Sequence, residues 1–322
     1  MDSFVIQGIQ TLSPAELDAW SDKRLVLVEE ALSNWVSPDA PAGLGQAMRY
    51  AVLDGGKRLR PLLVLAAREA VANGVEDKAL DAAALRAACA VELIHAYSLV
   101  HDDMPCMDND VLRRGKPTVH VHFGEAQALL AGDALQALAF ELLTPENNPT
   151  TGSHGLTNIP DEVQARLCRL LAKAAGFNGM AGGQAIDLAS VGLALNEQQL
   201  REMHRLKTGA LLSASVMMGA ACGNISAQTW GCLERYGQAM GLAFQVVDDV
   251  LDVTADSVTL GKTAGKDAAN DKPTYVSLLG LARAQEYAEQ LLHEALKALE
   301  DSGLKSAHSL AALAQRVVNR KT

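Results

Sequence analysis

The feature that most constrains this fold is a long, nearly uncharged stretch that runs directly into a cluster of acidic residues. Residues 80–101 are dominated by Ala, Leu, Val and Ile, and Asp102 and Asp103 follow at once. The apolar positions cover every side of a helical wheel, and such a helix is buried at the centre of a bundle. The chain must therefore fold around this helix and accommodate carboxylates at its end, where buried charge is costly.

Composition supports a helical protein. The 322 residues are 49% hydrophobic but only 4% aromatic, which favours helices over a β-sandwich or barrel. Apolar residues at helical spacing predict helices over Ala15–Val36, Ala47–Asp54, Leu62–Ala72, Leu80–His101, Ala126–Leu143, Pro160–Gly176, Asn196–Cys222, Ser226–Val253, Pro273–Ser302 and Leu304–Asn319. The polar segment Thr144–Ile159 indicates a surface loop, so we expect one all-α domain over residues 1–322.

Charge and cysteine usage exclude several function classes. The net charge of −10 argues against non-specific nucleic-acid binding, which needs a basic surface. The five cysteines are an odd number without a CxxC pair, which indicates reduced thiols packed in the core. No apolar run reaches the length of a membrane span, and the N-terminus lacks a secretory signal, so we expect a soluble cytoplasmic protein.

The first acidic cluster contains Asp102, Asp103, Asp108 and Asp110. Carboxylates this close repel one another unless cations neutralise them. Pro105 should end the helix and allow Asp108 to fold back toward Asp102. Hard oxygen ligands of this kind suit Mg²⁺, which usually takes one or two carboxylates together with substrate phosphates.

The second acidic cluster contains Asp248, Asp249 and Asp252. Asp248 and Asp252 are four residues apart and share a helix face, on which Gln245 also lies. Like charges at this spacing destabilise a helix, so a bound metal explains them better than chance. Two such clusters, each on an apolar helix, are far more specific than one.

Basic residues stand beside turns and acidic clusters throughout the chain. Lys57 and Arg60 follow Gly56 in the segment GGKRLRP, and Arg113 and Arg114 follow the first acidic cluster. The remaining members are Lys207, which precedes Thr208 within an apolar stretch, and Lys262, Lys266 and Lys272 after the second acidic cluster. Arginine and lysine gathered near two metal sites indicate polyanionic ligands, for which phosphates are well suited.

Taken together, these segments resemble the trans-isoprenyl diphosphate synthase family, and within it the bacterial-type farnesyl diphosphate synthases. The segment LIHAYSLVHDDMPCMDNDVLRRGKPTVH is similar to the longer form of the family's first aspartate-rich motif. The segment GQAMGLAFQVVDDVLDVTADSVTLGKTAGKDAANDKPTY is similar to the second. Because GGKRLRP, GMAGGQAIDL and HRLKTGALL also match, the resemblance covers nearly the whole chain.

The resemblance implies an all-α bundle around a central apolar cavity, usually as a homodimer. The two aspartate motifs would face each other across the mouth of the cavity, with three Mg²⁺ ions between them and an allylic diphosphate; Mn²⁺ is a possible substitute. Asp102 and Asp108 would hold two ions and Asp248 the third. Asp103, Asp249 and Asp252 would bind through water or support the ligands.

The resemblance also implies two diphosphate sites. Lys57, Arg60, His95 and Arg114 correspond to the site for isopentenyl diphosphate, with Gly56 beside them. Arg113, Lys207, Gln245 and Lys262 correspond to the allylic diphosphate site, for which Lys272 is a weaker match. Helix geometry supports His95 independently, because it lies seven residues before Asp102 and shares its face.

The activity implied is a Mg²⁺-dependent prenyl transfer that extends dimethylallyl and geranyl diphosphate with isopentenyl diphosphate, giving farnesyl diphosphate and free diphosphate. Lys207, Thr208 and Gln245 would act on the reacting allylic group. Tyr97 and Ser98, five and four residues before Asp102, would limit the product length, in the pattern of enzymes that stop at C15.

Four alternatives remain open: a C10 or C20 product from the same chemistry, a terpene cyclase, a non-catalytic partner subunit, and an all-α metal-dependent phosphohydrolase. A cyclase usually lacks GGKRLRP and a second aspartate motif, and a partner subunit usually loses one motif. A phosphohydrolase needs a His-Asp metal cluster that the eight histidines do not form.

Overall fold

A computed structural model describes residues 11–53, 55–146, 158–193, 195–254 and 274–320 of the protein. It confirms the predicted all-α class. The helices are α1 (Pro14–Trp35), α2 (Leu44–Val52), α3 (Leu59–Ala72), α4 (Lys78–Asp102), α5 (Val119–Phe123), α6 (Glu125–Leu143), α7 (Asp161–Ala175), α8 (Met180–Ala189), α9 (Glu197–His204), α10 (Ala210–Ala221), α11 (Ala227–Thr254), α12 (Tyr275–Leu279), α13 (Leu281–Asp301) and α14 (His308–Val318).

The predicted central helix is α4. Asp77 caps it by accepting hydrogen bonds from the backbone N–H groups of Ala79 and Leu80. The helix packs against α3, α6 and α10, and most of its apolar residues are fully buried. Its C-terminal end at Asp102 therefore sits on a rigid part of the core.

Most helix boundaries agree with the sequence prediction to within a few residues, but two predicted helices are divided. The stretch Asn196–Cys222 contains α9, a π-helical turn at Arg205–Gly209, and α10. The stretch Pro273–Ser302 is broken at Gly280, whose φ of +81° is typical of glycine.

Besides short helical turns such as α5, two further elements were not predicted. Helix α8 is rich in glycine, which has a low helix propensity, so no apolar periodicity marks it. A Cβ atom at Gly183 would lie 2.1 Å from the backbone nitrogen of Lys207, so this glycine allows α8 to pack directly against the π-helical turn. The second element is a two-stranded hairpin of β1 (Leu112–Arg113) and β2 (Lys116–Pro117).

The described cysteines are all free, as predicted, although Cys106 is exposed rather than packed in the core. Helices α4 and α6 are long and apolar enough to satisfy a membrane-span criterion, as core helices of globular proteins also do. Of their most apolar windows, 67% is buried inside the fold in α4 and only 39% in α6. Helix α6 therefore presents an apolar face that the described residues leave exposed.

Candidate active site

The first aspartate segment turns back on the end of α4. The helix stops at Asp102, and the backbone N–H of Asp108 donates to the carbonyl of Asp102 at 2.9 Å. The predicted return of Asp108 toward Asp102 is therefore confirmed. Burial first, and then the charges of Asp108 and Asp103, raise the pKa of Asp102 to about 6 against the opposing effect of Lys207.

Asp103 is held by Arg113. The Nε atom of Arg113 lies 2.8 Å from one carboxylate oxygen of Asp103, and its Nη2 atom lies 2.5 Å from the other. The hairpin turn at Arg114 and Gly115, with φ values of 52° and 78°, brings the two segments together. This bidentate ion pair fixes the loop that carries Asp108 and leaves Nη1 of Arg113 for other contacts.

A cluster of basic side chains lies next to the first aspartate segment. Gly56 and Arg114 approach each other so closely that a Cβ atom at Gly56 would lie 2.8 Å from Nη1 of Arg114. The same guanidinium donates to the carbonyl of Gly55 at 2.7 Å. The loop before α3 thus binds the hairpin directly and brings together Lys57, Arg60, His95 and Arg114, the predicted basic set.

The electrostatics of this cluster indicate an anion site. Burial, followed by Arg60, Arg114, Arg113 and Arg58, lowers the pKa of His95 well below its ordinary value. Burial and the nearby Arg320 and Arg114 also lower the pKa of Lys57. Cations that depress one another in this way gain most from a multiply charged anion between them.

The second aspartate segment is linked to the π-helical turn through side chains. The hydroxyl of Thr208 donates to Gln245 at 3.1 Å, and Gln245 donates to Asp249 at 2.8 Å. The other oxygen of Asp249 accepts from the backbone N–H of Tyr275 at 2.8 Å. Asp249 is 2% exposed, so it joins three elements of the fold rather than facing solvent.

The π-helical turn also reaches the first aspartate segment. Lys207 pairs with the buried Asp187 of α8 at 2.5 Å, and its charge lowers the pKa of Asp102 against burial. The π-helical turn thus interacts with both aspartate segments, with the first through Lys207 and with the second through Thr208. Glycine makes the close packing possible, since a Cβ atom at Gly241 of α11 would lie 2.7 Å from the Cα atom of Gly209.

Behind the turn lies a buried histidine. His204 is 7% exposed, and neither of its ring nitrogens has a hydrogen-bond partner among the described residues. Its ring stacks at 5.6 Å on Tyr275, whose backbone supports Asp249. Burial lowers the pKa of His204 to about 4, with Lys207 adding to the effect and Asp187 opposing it.

The carboxylates of the two segments fit a hard divalent cation that takes its remaining ligands from phosphate and water oxygens. No group of three or more His, Cys, Asp or Glu side chains in the described parts of the chain forms a complete metal site. Mg²⁺ does not need one, because it commonly uses one or two carboxylates with phosphate and water oxygens. The carboxyl of Asp102, with a pKa raised to about 6 by burial and neighbouring carboxylates, is a group that a nearby cation would return to its charged form.

The predicted residues are only partly brought together in the described structure. Lys262 and Lys272, with Lys266, lie outside the described residues. Asp252 is 5% exposed on the same helix as Asp248. Tyr97 is 9% exposed and meets the ring of His101 edge-on at 5.7 Å, while the hydroxyl of Ser98 donates to the carbonyl of His95 at 2.8 Å.

Two further side chains lie near the site, outside the set of residues predicted for it. Asp187 pairs with Lys207, and its only signal was a lone acid in the apolar segment GMAGGQAIDL. Arg320, near the C-terminus, packs its guanidinium 4.5 Å from the centre of the Phe244 ring. Burial lowers the pKa of Arg320 while Asp248 opposes that shift, which places its charge beside the second aspartate segment.

Two hollows among the described residues bear on the predicted site. A groove of about 810 Å³ is lined mainly by α7, α9, α10, α11 and α13, and it includes none of the predicted site residues. A small cavity of about 50 Å³ is lined by Asp103, Arg113 and Arg114 with the hairpin and α2. The apolar cavity expected between the aspartate segments therefore stays a prediction.

Comparison with known proteins agrees with this arrangement. The sequence model of the family described as Polyprenyl synthetase matches residues 41–312. A probable farnesyl diphosphate synthase of Bradyrhizobium diazoefficiens is 47% identical over 305 residues, which are 93% of this chain and 86% of that protein. The chloroplastic geranylgeranyl pyrophosphate synthase of Capsicum annuum is 43% identical over 316 residues, which are 98% of this chain and 82% of that protein.

A solved structure points the same way. The geranyltransferase from Helicobacter pylori, complexed with magnesium and isoprenyl diphosphate, has a TM-score of 0.75 and 37% identity, and the match covers 96% of this chain and 97% of that one. Fold, site and sequence thus agree on one class of protein. The chain belongs to the polyprenyl synthetase family and is a prenyltransferase.

Proposed function

We propose that this enzyme condenses isopentenyl diphosphate with dimethylallyl and geranyl diphosphate to form farnesyl diphosphate. The observation that carries the proposal is the position of the π-helical turn. The charge of Lys207 lowers the pKa of Asp102 in the first aspartate segment, and Thr208 bonds to Gln245 beside the second. One turn of helix thus links two acidic segments, next to a separate basic cluster, as a reaction of two diphosphate substrates requires.

Asp102, Asp108 and Asp248 are the residues that would hold Mg²⁺, three ions per site by family resemblance, with Mn²⁺ as a substitute. Asp103 and Asp249 support them, since each is 2% exposed and bonded to protein groups, and Asp252 stands one turn after Asp248. When bound, the metal supplies Lewis-acid stabilisation of the charge that develops on the departing diphosphate.

The side chains of this protein bind and orient the two substrates. Lys207 and the Nη1 atom of Arg113 face the allylic diphosphate, while Lys57, Arg60, His95 and Arg114 bind the diphosphate of isopentenyl diphosphate. Both anions are thereby held by fixed charges, which lowers the entropy cost of the reaction. Lys262 and Lys272 are assigned to the allylic side from the sequence alone.

The proposed reaction breaks the allylic C–O bond, and its electron pair leaves with diphosphate. The double bond of isopentenyl diphosphate supplies the electrons of the new C–C bond, and a proton is lost to the released diphosphate to restore an alkene. Thr208 and Gln245, already hydrogen-bonded at 3.1 Å, point oxygen atoms toward the allylic group and stabilise its positive charge.

A C15 product is supported by the pair Tyr97 and Ser98 before Asp102. The C20 product is the second candidate, because the matched relatives are named both farnesyl diphosphate synthase and geranylgeranyl pyrophosphate synthase. The test incubates the purified protein with labelled isopentenyl diphosphate and dimethylallyl, geranyl or farnesyl diphosphate, with and without Mg²⁺. We expect Mg²⁺-dependent extension that stops at C15; use of farnesyl diphosphate would favour the C20 product, and no extension would refute the proposal.

We further propose that the enzyme is a single-domain cytoplasmic homodimer. The exposed face of α6 supports the dimer, because Leu129 and Leu130 are 47% and 53% exposed on one helix. Light scattering of the wild type should give twice the chain mass, and Leu130→Glu should give the monomer. Gln290→Glu adds the same charge at an exposed polar position of another helix, α13, and serves as the control. An unchanged dimer in Leu130→Glu would place the interface elsewhere.

A further inference from the structure

A buried carboxylate lies behind the basic cluster. Glu92 is 5% exposed on α4, three residues before His95 and on the same side of the helix. One of its oxygens accepts from Nη1 of Arg58 at 2.8 Å. A buried carboxylate is costly unless it is paired, so its place beside Arg58 and Arg60 requires a reason.

Arg58 is fully engaged with protein groups. Besides Glu92, it donates to both oxygens of Glu29, at 2.7 and 3.3 Å, and to the carbonyl of Val52 at 2.6 Å. These bonds hold Arg58 at a φ of +44°, a left-handed conformation that a non-glycine residue rarely adopts. Arg58 therefore anchors the start of α3 and cannot itself bind a substrate.

Unlike Arg58, Arg60 makes no side-chain hydrogen bond or ion pair with the described protein groups. It lies in the first turn of α3, only two residues beyond the anchor, and its Nε atom is buried without a hydrogen-bond partner among the described residues. Burial lowers the pKa of Arg60, and Glu92 opposes that shift. No ion pair within 4.0 Å joins Arg60 to a described carboxylate, so Glu92 balances its charge without binding its terminal nitrogens.

We propose that Glu92 is a positioning residue for isopentenyl diphosphate: one buried carboxylate bonds to Arg58 and also balances the charge of Arg60, whose terminal nitrogens stay available for the diphosphate. The inference rests on the proposed function, which assigns Arg60 to that substrate. Glu29 provides a natural comparison, because it binds the same Arg58 but its side chain is 39% exposed and it does not act on Arg60.

The experiment measures KM for each substrate separately, with kcat, in four variants. Glu92→Gln should raise KM for isopentenyl diphosphate about tenfold, with kcat and the allylic KM within about twofold. Glu92→Asp keeps the charge and should raise the KM for isopentenyl diphosphate about threefold. Glu29→Gln and Glu29→Asp remove or shorten the other partner of Arg58 and should leave both KM values within about twofold.

Thermal unfolding of each variant separates a structural role from a positioning role. A purely structural role predicts a lower Tm in the Glu92 variants, because Glu92 is the more buried residue, but the same KM for isopentenyl diphosphate as in the Glu29 variants; that result would overturn the inference. If Glu92→Gln does not fold, the comparison of Glu92→Asp with Glu29→Asp carries the test. Arg60→Lys is the reference: an unchanged KM for isopentenyl diphosphate there would refute the assignment of Arg60 in the proposed function, whatever Glu92 does.

Discussion

In each aspartate segment, the second residue of the Asp-Asp pair is the more deeply buried one. Asp103 and Asp249 are both 2% exposed, whereas Asp102 and Asp248 are partly exposed. The supports differ. Asp103 is held by a cation, Arg113, only ten residues along the chain, while Asp249 is held by Gln245 and by the backbone of Tyr275, 26 residues away.

This difference shows how one sequence pattern is built in two ways. The first segment is stabilised locally by a hairpin and an ion pair. The second depends on a distant helix, α12, and on the buried ring of His204 that packs against it. Under the proposed function, the partly exposed outer aspartates, Asp102 and Asp248, bind the ligand, and the buried inner ones, Asp103 and Asp249, bind protein groups.

Removal of the outer aspartates should have the largest effect. Asp102→Asn and Asp248→Asn should each lower kcat/KM by at least about 10³-fold, because each removes a metal-binding charge. The free energy of unfolding should not fall in Asp102→Asn, because burial raises the pKa of Asp102 and the neutral amide removes that cost. In Asp248→Asn it should fall by less than about 1 kcal/mol, since that side chain is partly exposed. Steady-state kinetics and urea unfolding check this; a loss of stability as large as the loss of activity would contradict the division into outer and inner residues.

The second segment should be the more sensitive to acid. The pKa of His204 falls from 6.5 to about 4 on folding, so the unfolded chain binds more protons between these values. Stability should therefore fall by about 3 kcal/mol as pH drops from about 6.5 to 4. His204→Leu removes this contribution while keeping a similar volume.

Urea unfolding of the wild type and of His204→Leu across this pH range checks the prediction. The difference between the two proteins isolates His204, because His95 titrates in both. At pH 7 the variant should be at least as stable as the wild type. A constant difference from pH 7 to pH 4 would refute the role of His204.

The inner aspartates should differ in stability. Asp103→Asn breaks a buried ion pair and should cost about 2 kcal/mol, a reduced value because the Arg113 side chain is 36% exposed. Asp249→Asn keeps an oxygen that accepts from one of its two donors and should cost about 1 kcal/mol. Unfolding in 1 M salt gives the control: salt should reduce the cost at Asp103 and leave the cost at Asp249. Equal costs with equal salt dependence would remove the distinction.

The smallest expected change concerns the product. Tyr97 lies five residues before Asp102 and is 9% exposed, so Tyr97→Ala should leave the aspartates in place while opening space on α4. We expect a product longer by one C5 unit, detected by chromatography of the dephosphorylated products. An unchanged C15 product would show that bulk at Tyr97 does not set the chain length.

The sequence predicted what repeats along the chain and missed what depends on distant contacts. Helical spacing identified α4 and α11 and the aspartates at their ends. The apolar pattern and the clustered carboxylates both lie within one short segment of sequence. Helical spacing could not identify α8, since the role of Gly183 is clear only from its contact with Lys207. The sequence also indicated no role for Arg58 within GGKRLRP, because only the fold brings Glu29 and Glu92 to it.

The π-helical turn at Arg205–Gly209 has a consequence for how such a site can arise. A π-turn holds one more residue than an α-helical turn, so it is equivalent to a single-residue insertion in a continuous helix. Helices on either side keep their directions, and only the residues within the turn change the side to which they point. Deletion of one codon there would rejoin α9 and α10 as a regular helix and rotate Lys207 and Thr208 relative to each other. A site of this kind can therefore arise from a regular helix by the insertion of one residue, without any substitution.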